Sequence, residues 1–264
     1  MEQKKVAVVT GASSGIGLAC AERFSRENYK VYSLSRSGKS SGTIAGICCD
    51  VTDEAQIEES FKEIFEKEGR IDLLVNNAGF GISGAAEFTE LAQAKKQFDV
   101  NFFGCFACCK AVCKYMRKSG GGRIINISSM AAELSIPFQA FYSASKSAVN
   151  SLTLALANEL RPFNISVCAF MPGDVKTAFT SQREKQECGA EVYGETIKKS
   201  IERMEKDEQN GMSPEKIADA VFALSRKKHP KPLSTTGASY KCFAVLSKVL
   251  PMSAVNRIVG LIYS

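Results

Sequence analysis

Short apolar runs rich in β-branched residues alternate with longer amphipathic runs along the first two thirds of this 264-residue chain. The short runs predict strands at residues 6–9, 31–34, 44–48, 71–75, 123–127 and 165–170. The longer runs predict helices near residues 16–26, 54–67, 91–117 and 141–160. Strict alternation of strand and helix indicates right-handed βαβ units. The predicted fold class is therefore α/β, a doubly wound parallel sheet with helices on both faces.

The alternation of predicted strands and helices ends after Pro172, but no repeat, low-complexity tract or linker marks a second domain. We therefore predict one domain over residues 1–264. Residues 174–211 are rich in Glu and Lys, and they are predicted to form a mobile helical lid. Ser213 and Pro214 suit the cap and first turn of another helix. A weak last strand is predicted near residues 233–238, before an apolar tail at 240–264.

Composition excludes several classes of function. The net charge of +6 is scattered, and the short basic run at residues 226–231 favours a solvated loop over a nucleic-acid site. No stretch of 18 apolar residues is present, so no membrane span is expected. The first residues lack a secretory signal, and with ten cysteines this favours a reducing, cytoplasmic location.

Four cysteines, Cys105, Cys108, Cys109 and Cys113, lie close together on one predicted helix. A single rigid helix with ligands at this spacing cannot surround a tetrahedral ion, and no histidine lies nearby. We interpret these cysteines as small core residues and predict no metal site.

A glycine-rich turn separates the first predicted strand from the first predicted helix. Its candidate cofactor contacts are Gly11, Ser13, Ser14, Gly15, Ile16 and Gly17. Glycines permit backbone angles closed to other residues, and a helix N-terminus offers free N–H groups to an anion. The spacing G-x-x-x-G-x-G differs from the common G-x-G-x-x-G fingerprint. Within a βαβ unit it nevertheless predicts a pyrophosphate-binding turn rather than a simple tight corner.

The end of the second predicted strand indicates which nucleotide binds. A site for a ribose 2′-hydroxyl needs an acidic residue there, but the chain has Ser35 and Arg36. Arg36 favours a 2′-phosphate and therefore NADP(H), the alternative being an ordinary surface arginine. Asp50 and Val51 follow the third strand. Asp50 either accepts the adenine amino group or caps the next turn.

Tyr142 and Lys146 lie four residues apart and share one face of a predicted helix. A phenol titrates near 10, and a neighbouring ammonium lowers that pKa, so the pair suits general acid–base chemistry. Such a pair alone is often accidental. Residues 76–79, 128–130 and 172–173 strengthen it, because each group ends a strand at the edge where this fold binds ligands.

Together these motifs resemble the short-chain dehydrogenase/reductase family over nearly the whole chain. The resemblance implies a Rossmann-like fold and a catalytic tetrad of Asn101, Ser129, Tyr142 and Lys146, with no departure from the family pattern. It also implies cofactor contacts at Asn77, Ala78, Gly79, Pro172, Gly173, Val175 and Thr177. Of these, Val175 and Thr177 are expected at the nicotinamide carboxamide.

The resemblance further implies a mechanism in which hydride passes between nicotinamide C4 and a carbonyl or alcohol carbon. Tyr142 transfers the proton, and Ser129 orients the substrate oxygen. Lys146 is expected to hold the nicotinamide ribose and to lower the tyrosine pKa. Asn101 is expected to hold a water that links Lys146 to solvent.

The tail carries apolar residues at helical spacing, with Lys241, Lys248 and Arg257 between them. These helices either cover the core, or they wall an apolar pocket or contact a lipid surface. Similar tails in the family favour a bulky lipophilic substrate, a hydroxysteroid first. The alternatives are reduction of a lipid ketone of acyl-dihydroxyacetone-phosphate or retinoid type at a membrane, or non-catalytic nucleotide sensing. Helices 101–117 and 141–160 imply, by resemblance, a homodimer or homotetramer.

Overall fold

The computed structural model describes residues 3–185 and 188–263. Its strands are β1 (Val6–Thr10), β2 (Lys30–Ser35), β3 (Ile44–Cys48), β4 (Leu73–Asn76), β5 (Ile82–Ser83), β6 (Gly122–Ile127), β7 (Ile165–Phe170), β8 (Glu184–Lys185) and β9 (Leu233–Ser234). Its α-helices are α1 (Gly15–Arg26), α2 (Glu54–Glu68), α3 (Leu91–Phe98), α4 (Cys105–Lys118), α5 (Ala140–Glu159), α6 (Phe179–Gln182), α7 (Ala190–Tyr193), α8 (Thr196–Gln209), α9 (Pro214–Ser225), α10 (Ala238–Val249) and α11 (Met252–Tyr263).

Seven parallel strands form one sheet in the order β3-β2-β1-β4-β6-β7-β9. Strand β1 pairs with β2 on one side and β4 on the other, so the strand order reverses beside β1. Such a reversal opens a crevice at the carboxyl ends of the strands. The predicted single-domain, doubly wound α/β fold is confirmed.

Alternate residues of β1 enter different layers of the core. Val6 and Val8 pack with buried residues of α2, α4 and α5. Ala7 and Val9 pack on the other face with α1 and α9, where the Phe24 ring lies 5.5 Å from Phe222. A strand buried on both faces has no polar side, which is why β1 reads as a continuous apolar run.

The helix predicted at residues 91–117 is interrupted. A π-helical turn, Asp99–Gly104, separates α3 from α4. Within it, the Asn101 amide hydrogen-bonds to both backbone groups of Phe80. A side chain at Gly104 would begin only 2.8 Å from the Val51 carbonyl oxygen. These contacts distant in sequence fix the interruption, so periodicity alone could not reveal it.

The other predicted elements need smaller corrections. Strand β9 has two residues rather than six, because Gly237 has φ +86° and α10 begins at Ala238. The lid at residues 174–211 is not purely helical, since β8 pairs with β5. Residues 186–187 of the lid and Ser264 of the tail lie outside the described residues. The lid's mobility stays a prediction.

Several local predictions are confirmed. Ser213 caps α9, as its place in the sequence predicted. Asp53 also caps α2, by accepting hydrogen bonds from the backbone N–H groups of Ala55 and Gln56. The four clustered cysteines are buried in the core, where burial raises the pKa of Cys108 and Cys113. Across residues 3–185 and 188–263, each helix is too short or too polar to cross a bilayer.

Candidate active site

A cleft of about 900 Å³ opens at the carboxyl ends of the strands. The predicted residues that line it are Gly11, Ser13, Ser14, Gly15, Ile16, Ser35, Arg36, Asp50, Val51, Asn77, Ala78, Gly79, Ser129, Tyr142, Lys146, Pro172, Gly173, Val175 and Thr177. Two predicted residues, Gly17 and Asn101, lie behind this lining and support it. The structure therefore brings nearly all the predicted site together.

The glycine turn depends on close backbone approach. Gly11 and Gly15 have φ of +63° and +55°, in the left-handed region that favours glycine. A side chain at Gly17 would begin 2.4 Å from the Gly11 carbonyl oxygen. From the other side, the Asn77 amide donates to the carbonyl oxygens of Thr10 and Gly11, each at 3.2 Å. Gly17 and Asn77 thus fix the turn from beneath.

The turn fits a dinucleotide pyrophosphate. Helix α1 begins at Gly15, and among the described residues no side chain caps its first N–H groups. Those donors are free to bind an anion at the cleft. The methyl carbon of Thr177 lies 3.5 Å from where a Gly15 side chain would begin. The segment after β7 therefore lies next to the glycine turn, so that a single extended cofactor could contact both.

At the adenosine end, the exposed Arg36 lines the cleft beside the buried Ser35. The first carboxylate oxygen of Asp50 accepts hydrogen bonds from the backbone N–H and hydroxyl of Thr52, at 2.9 and 2.8 Å. Asp50 therefore caps the following turn, which was one of the two interpretations of its sequence position. A contact with adenine stays a prediction.

Helix α5 presents Tyr142 and Lys146 to the centre of the cleft. The Lys146 Nζ lies 5.9 Å from the centre of the Tyr142 ring and donates to the Ile127 carbonyl oxygen at 2.9 Å. Ser129, two residues after the end of β6, lines the same cleft, and its hydroxyl accepts a hydrogen bond from the Ala131 N–H at 3.1 Å. Phenol, hydroxyl and ammonium are thus held together by a helix and a strand end, which are rigid supports for chemistry.

Burial controls the ionisation of both groups. It raises the pKa of Tyr142 to about 12, against the lowering effect of the nearby Ser129 hydroxyl. It lowers the pKa of Lys146 to about 8. The expected lowering of the tyrosine pKa is absent, because loss of water around the phenolate outweighs the favourable contacts. Near neutral pH, Tyr142 therefore keeps its proton and can act as an acid.

Asn101 is buried with its amide fully engaged. Its nitrogen donates to the Phe80 carbonyl oxygen at 3.0 Å and to the Ser145 hydroxyl at 3.1 Å, and its oxygen accepts from the Phe80 N–H at 3.0 Å. A side chain at Gly79 would begin 3.0 Å from that oxygen and 3.6 Å from the Lys146 Nζ. Asn101 thus fixes the loop after β4 beside Lys146.

Sequence reasoning missed a clamp at the substrate end. The Tyr240 hydroxyl donates to the Asp174 carboxylate at 2.6 Å and accepts from the Asp174 N–H at 3.0 Å. The Tyr240 ring occupies the space of a side chain at Gly173, since that side chain would begin 2.1 Å from the ring. The clamp ties the tail to the segment after β7. Only the glycine before Asp174 signals such close approach.

A buried ion pair was also missed. Arg183, whose side chain is 1% exposed, pairs with Glu208 of α8, and the Thr180 hydroxyl donates to the same carboxylate at 2.6 Å. Phe179 places its ring 5.7 Å from the Tyr142 ring. The pair fastens α8 to the segment that follows α6, within the lid and close to Tyr142. In the sequence, both residues look like members of an ordinary charged surface segment.

The tail forms the apolar wall of the cleft. Its lining residues are Phe243, Leu246, Leu250, Ile258 and Ile262. Val255 and Val259 of α11 are buried and also line the cleft. Helix α10, described over its whole length, has no buried residue, and the two buried residues of α11 belong to the cleft lining, so the tail walls an apolar pocket rather than covering the core.

Comparison with known proteins agrees with this geometry. A family model described as short chain dehydrogenase matches residues 5–188. The 3-ketodihydrosphingosine reductase of Bacteroides thetaiotaomicron is 40% identical over 231 residues, covering 86% of this chain and 86% of that protein. The 3beta-hydroxysteroid dehydrogenase of Mediterraneibacter gnavus is 35% identical over 193 residues, covering 68% of this chain and 69% of that protein.

A solved structure described as ElxO with NADP bound has the same fold. It superposes with a TM-score of 0.75 at 29% identity, covering 91% of this chain and 100% of ElxO. The family match covers the glycine turn and all four residues of the predicted tetrad. The chain is therefore an oxidoreductase that belongs to the short-chain dehydrogenase/reductase family.

Proposed function

We propose that this protein is an NADP(H)-dependent oxidoreductase that interconverts a bulky lipophilic ketone and its secondary alcohol. The observation that carries the proposal is the placement of Tyr142, Ser129 and Lys146 in one cleft that apolar side chains of the tail also line. Polar groups at the centre suit a carbonyl oxygen, and the apolar wall suits the hydrocarbon attached to it.

The nicotinamide cofactor supplies or accepts hydride at the substrate carbon. In reduction, Tyr142 donates its phenolic proton to the carbonyl oxygen. Ser129, which lines the cleft with Tyr142, orients that oxygen and shares its developing charge. Lys146 holds a positive charge below its pKa of about 8 and supports both the nicotinamide ribose and the phenolate left behind. In oxidation, the same proton returns from the alcohol to Tyr142.

The 2′-phosphate form of the cofactor follows from Arg36. This guanidinium is exposed at the adenosine end of the cleft, at the position where a carboxylate would select the ribose hydroxyls. A charged phosphate and a guanidinium form strong paired hydrogen bonds. The NADP bound to ElxO supports the same preference.

The two relatives support the substrate class. The first is named for a 3-ketosphingoid base and the second for a 3β-hydroxysteroid, both with hydrocarbon frameworks. We propose a substrate of this kind, a lipid ketone or a hydroxysteroid.

A size series tests this proposal. With NADPH, kcat/KM should rise from acetone-sized ketones to long-chain and steroid ketones, because each buried methylene contributes about 0.8 kcal/mol. NADH and the reverse reaction with matched alcohols serve as comparisons. Higher efficiency with sugars or short hydroxy acids than with any of the lipids would contradict the proposal.

We also propose a homodimer or homotetramer. Phe103 of the π-helical turn, Phe106 at the start of α4 and Leu154 of α5 are exposed apolar side chains in the segments expected to pair. Light scattering should give a mass of two or four chains, and Phe106→Glu should lower it. A monomeric wild-type protein would contradict this proposal.

The ten cysteines are free thiols, which supports the proposed cytoplasmic location. Fractionation of cells that express the full-length chain tests that location.

A further inference from the structure

The outer side of the tail exposes apolar side chains that the cleft does not use. On α10, Val245 and Val249 are one helical turn apart and both are exposed, Val249 to 74%. Met252 at the start of α11 and Leu261 near its end are also exposed, Leu261 to 77%. Exposed apolar residues that recur on two consecutive helices indicate a contact surface. We call the outer side of α10 and α11, residues 238–263, the tail surface.

The charge of the tail surface identifies its partner. The chain has no Asp or Glu after Asp219, whereas Lys241, Lys248 and Arg257 lie within the two helices. All three cations are exposed. Basic residues beside apolar ones on a surface helix favour a surface that is anionic and has an apolar layer beneath. An anionic phospholipid bilayer has both properties.

The length of the helices fixes how they meet such a bilayer. Each has 12 residues, or about 18 Å at 1.5 Å per residue. A hydrocarbon core of about 30 Å is too thick for either helix to span. Pro251 separates them, so they are two short helices suited to lying along the bilayer surface.

The same helices connect the surface to the cleft. Phe243 and Leu246 of α10 and Ile258 and Ile262 of α11 line the cleft while remaining partly exposed. Each of the two helices therefore carries apolar residues that line the cleft and other apolar residues that face outward. A lipid leaving a bilayer at the tail surface would meet apolar side chains before reaching Tyr142.

We propose that the tail surface docks on an anionic phospholipid bilayer and admits the lipophilic substrate directly from it. Substrate entry rests on the proposed function, whereas docking does not. Docking is driven by burial of Val249 and Leu261 with electrostatic attraction from the three cations.

Vesicle flotation tests docking without reference to activity. The wild-type protein should float with phosphatidylcholine vesicles that contain phosphatidylglycerol, and less with phosphatidylcholine alone or at high salt. The double variant Val249→Glu/Leu261→Glu should lose at least about tenfold in partitioning, since two apolar side chains no longer enter the bilayer. Leu91→Glu is the matched control, because Leu91 is 67% exposed on α3, outside the tail. It should float like wild type.

Activity separates docking from the proposed function. The double variant should keep wild-type turnover of a water-soluble ketone but lose efficiency with a ketone delivered in anionic vesicles. If no ketone is reduced, the proposed function fails, yet flotation still decides docking. Wild-type protein that does not float, or a double variant that floats equally well, would overturn the proposal. A fall in mass of the double variant without wild-type flotation would instead assign the tail surface to a second copy.

Discussion

The two sides of the cleft are built by different physical means. On the cofactor side, backbone meets backbone: a side chain at Gly17 would begin 2.4 Å from the Gly11 carbonyl oxygen, and one at Gly11 would begin 2.8 Å from the Ala78 Cα. On the substrate side, side chains from distant helices meet, as in the Tyr240–Asp174 clamp. The cofactor side therefore tolerates almost no added volume, whereas the substrate side can be changed without disturbing the sheet.

The largest expected effect is on the cofactor side. Gly17→Val should weaken NADPH binding or stability by about 3 kcal/mol or more, because its side chain must displace backbone that cannot move freely. Calorimetric titration and thermal unfolding measure the two effects. Gly69→Ala is the control, since nothing lies within 4 Å of its added carbon and only its φ of +71° is unfavourable. Normal NADPH binding by a stable Gly17→Val protein would show that the turn is not tightly packed.

The next effect separates the two cofactors. Arg36→Ala should reduce the preference for NADPH over NADH by roughly 10- to 150-fold, the equivalent of a charged hydrogen bond worth about 1.5–3 kcal/mol. The ratio of kcat/KM for the two cofactors is the measurement. Lys39→Ala, at an exposed residue three positions along the chain, should leave that ratio unchanged. An unchanged ratio in Arg36→Ala would remove Arg36 from the site.

A smaller effect is expected on the substrate side. Tyr240→Phe removes a hydrogen bond to the half-buried Asp174 carboxylate, worth about 1 kcal/mol. The KM for a lipophilic ketone should rise about fivefold, with little change in kcat or NADPH affinity. Tyr193→Phe is the control, because the Tyr193 hydroxyl bonds to Glu87 outside the cleft. Equal losses in kcat and NADPH affinity would mean that the two sides are not independent.

The smallest expected effect is a dependence on pH. Because the pKa of Lys146 in the unliganded protein is about 8, the side chain is charged below that pH and neutral above it. NADPH affinity should therefore fall as pH rises, by about twofold at pH 8 where half the lysine is neutral. Lys146→Arg, whose guanidinium stays charged, should remove this step in a fluorescence titration. A titration unchanged by the substitution would assign the step to another group.

The difference between the two sides also explains what the sequence predicted. The glycine turn between β1 and α1 is a local motif, so the role of Gly11, Gly15 and Gly17 could be predicted from the sequence around them. Tyr142 and Lys146 share a helix, and helical spacing alone places them together.

The features that the sequence did not predict are contacts between residues that lie far apart in the chain. Asp174 and Tyr240 are 66 residues apart, and Arg183 and Glu208 meet only because α8 packs against α6 within the lid. Likewise, the π-helical turn at Asn101 depends on its hydrogen bonds to Phe80. No periodic pattern encodes such contacts. The raised pKa of Tyr142 was missed because burial, which the sequence does not show, outweighs its local contacts.

Replacement of Tyr142 by phenylalanine tests the central claim most directly, that Tyr142 carries the proton in this cleft. The substitution keeps the ring beside Phe179 and removes only the phenolic hydroxyl. Single-turnover oxidation of NADPH by a long-chain ketone should slow by roughly 10²–10⁴, with NADPH affinity unchanged. Turnover of Tyr142→Phe within a few fold of wild type would contradict the account.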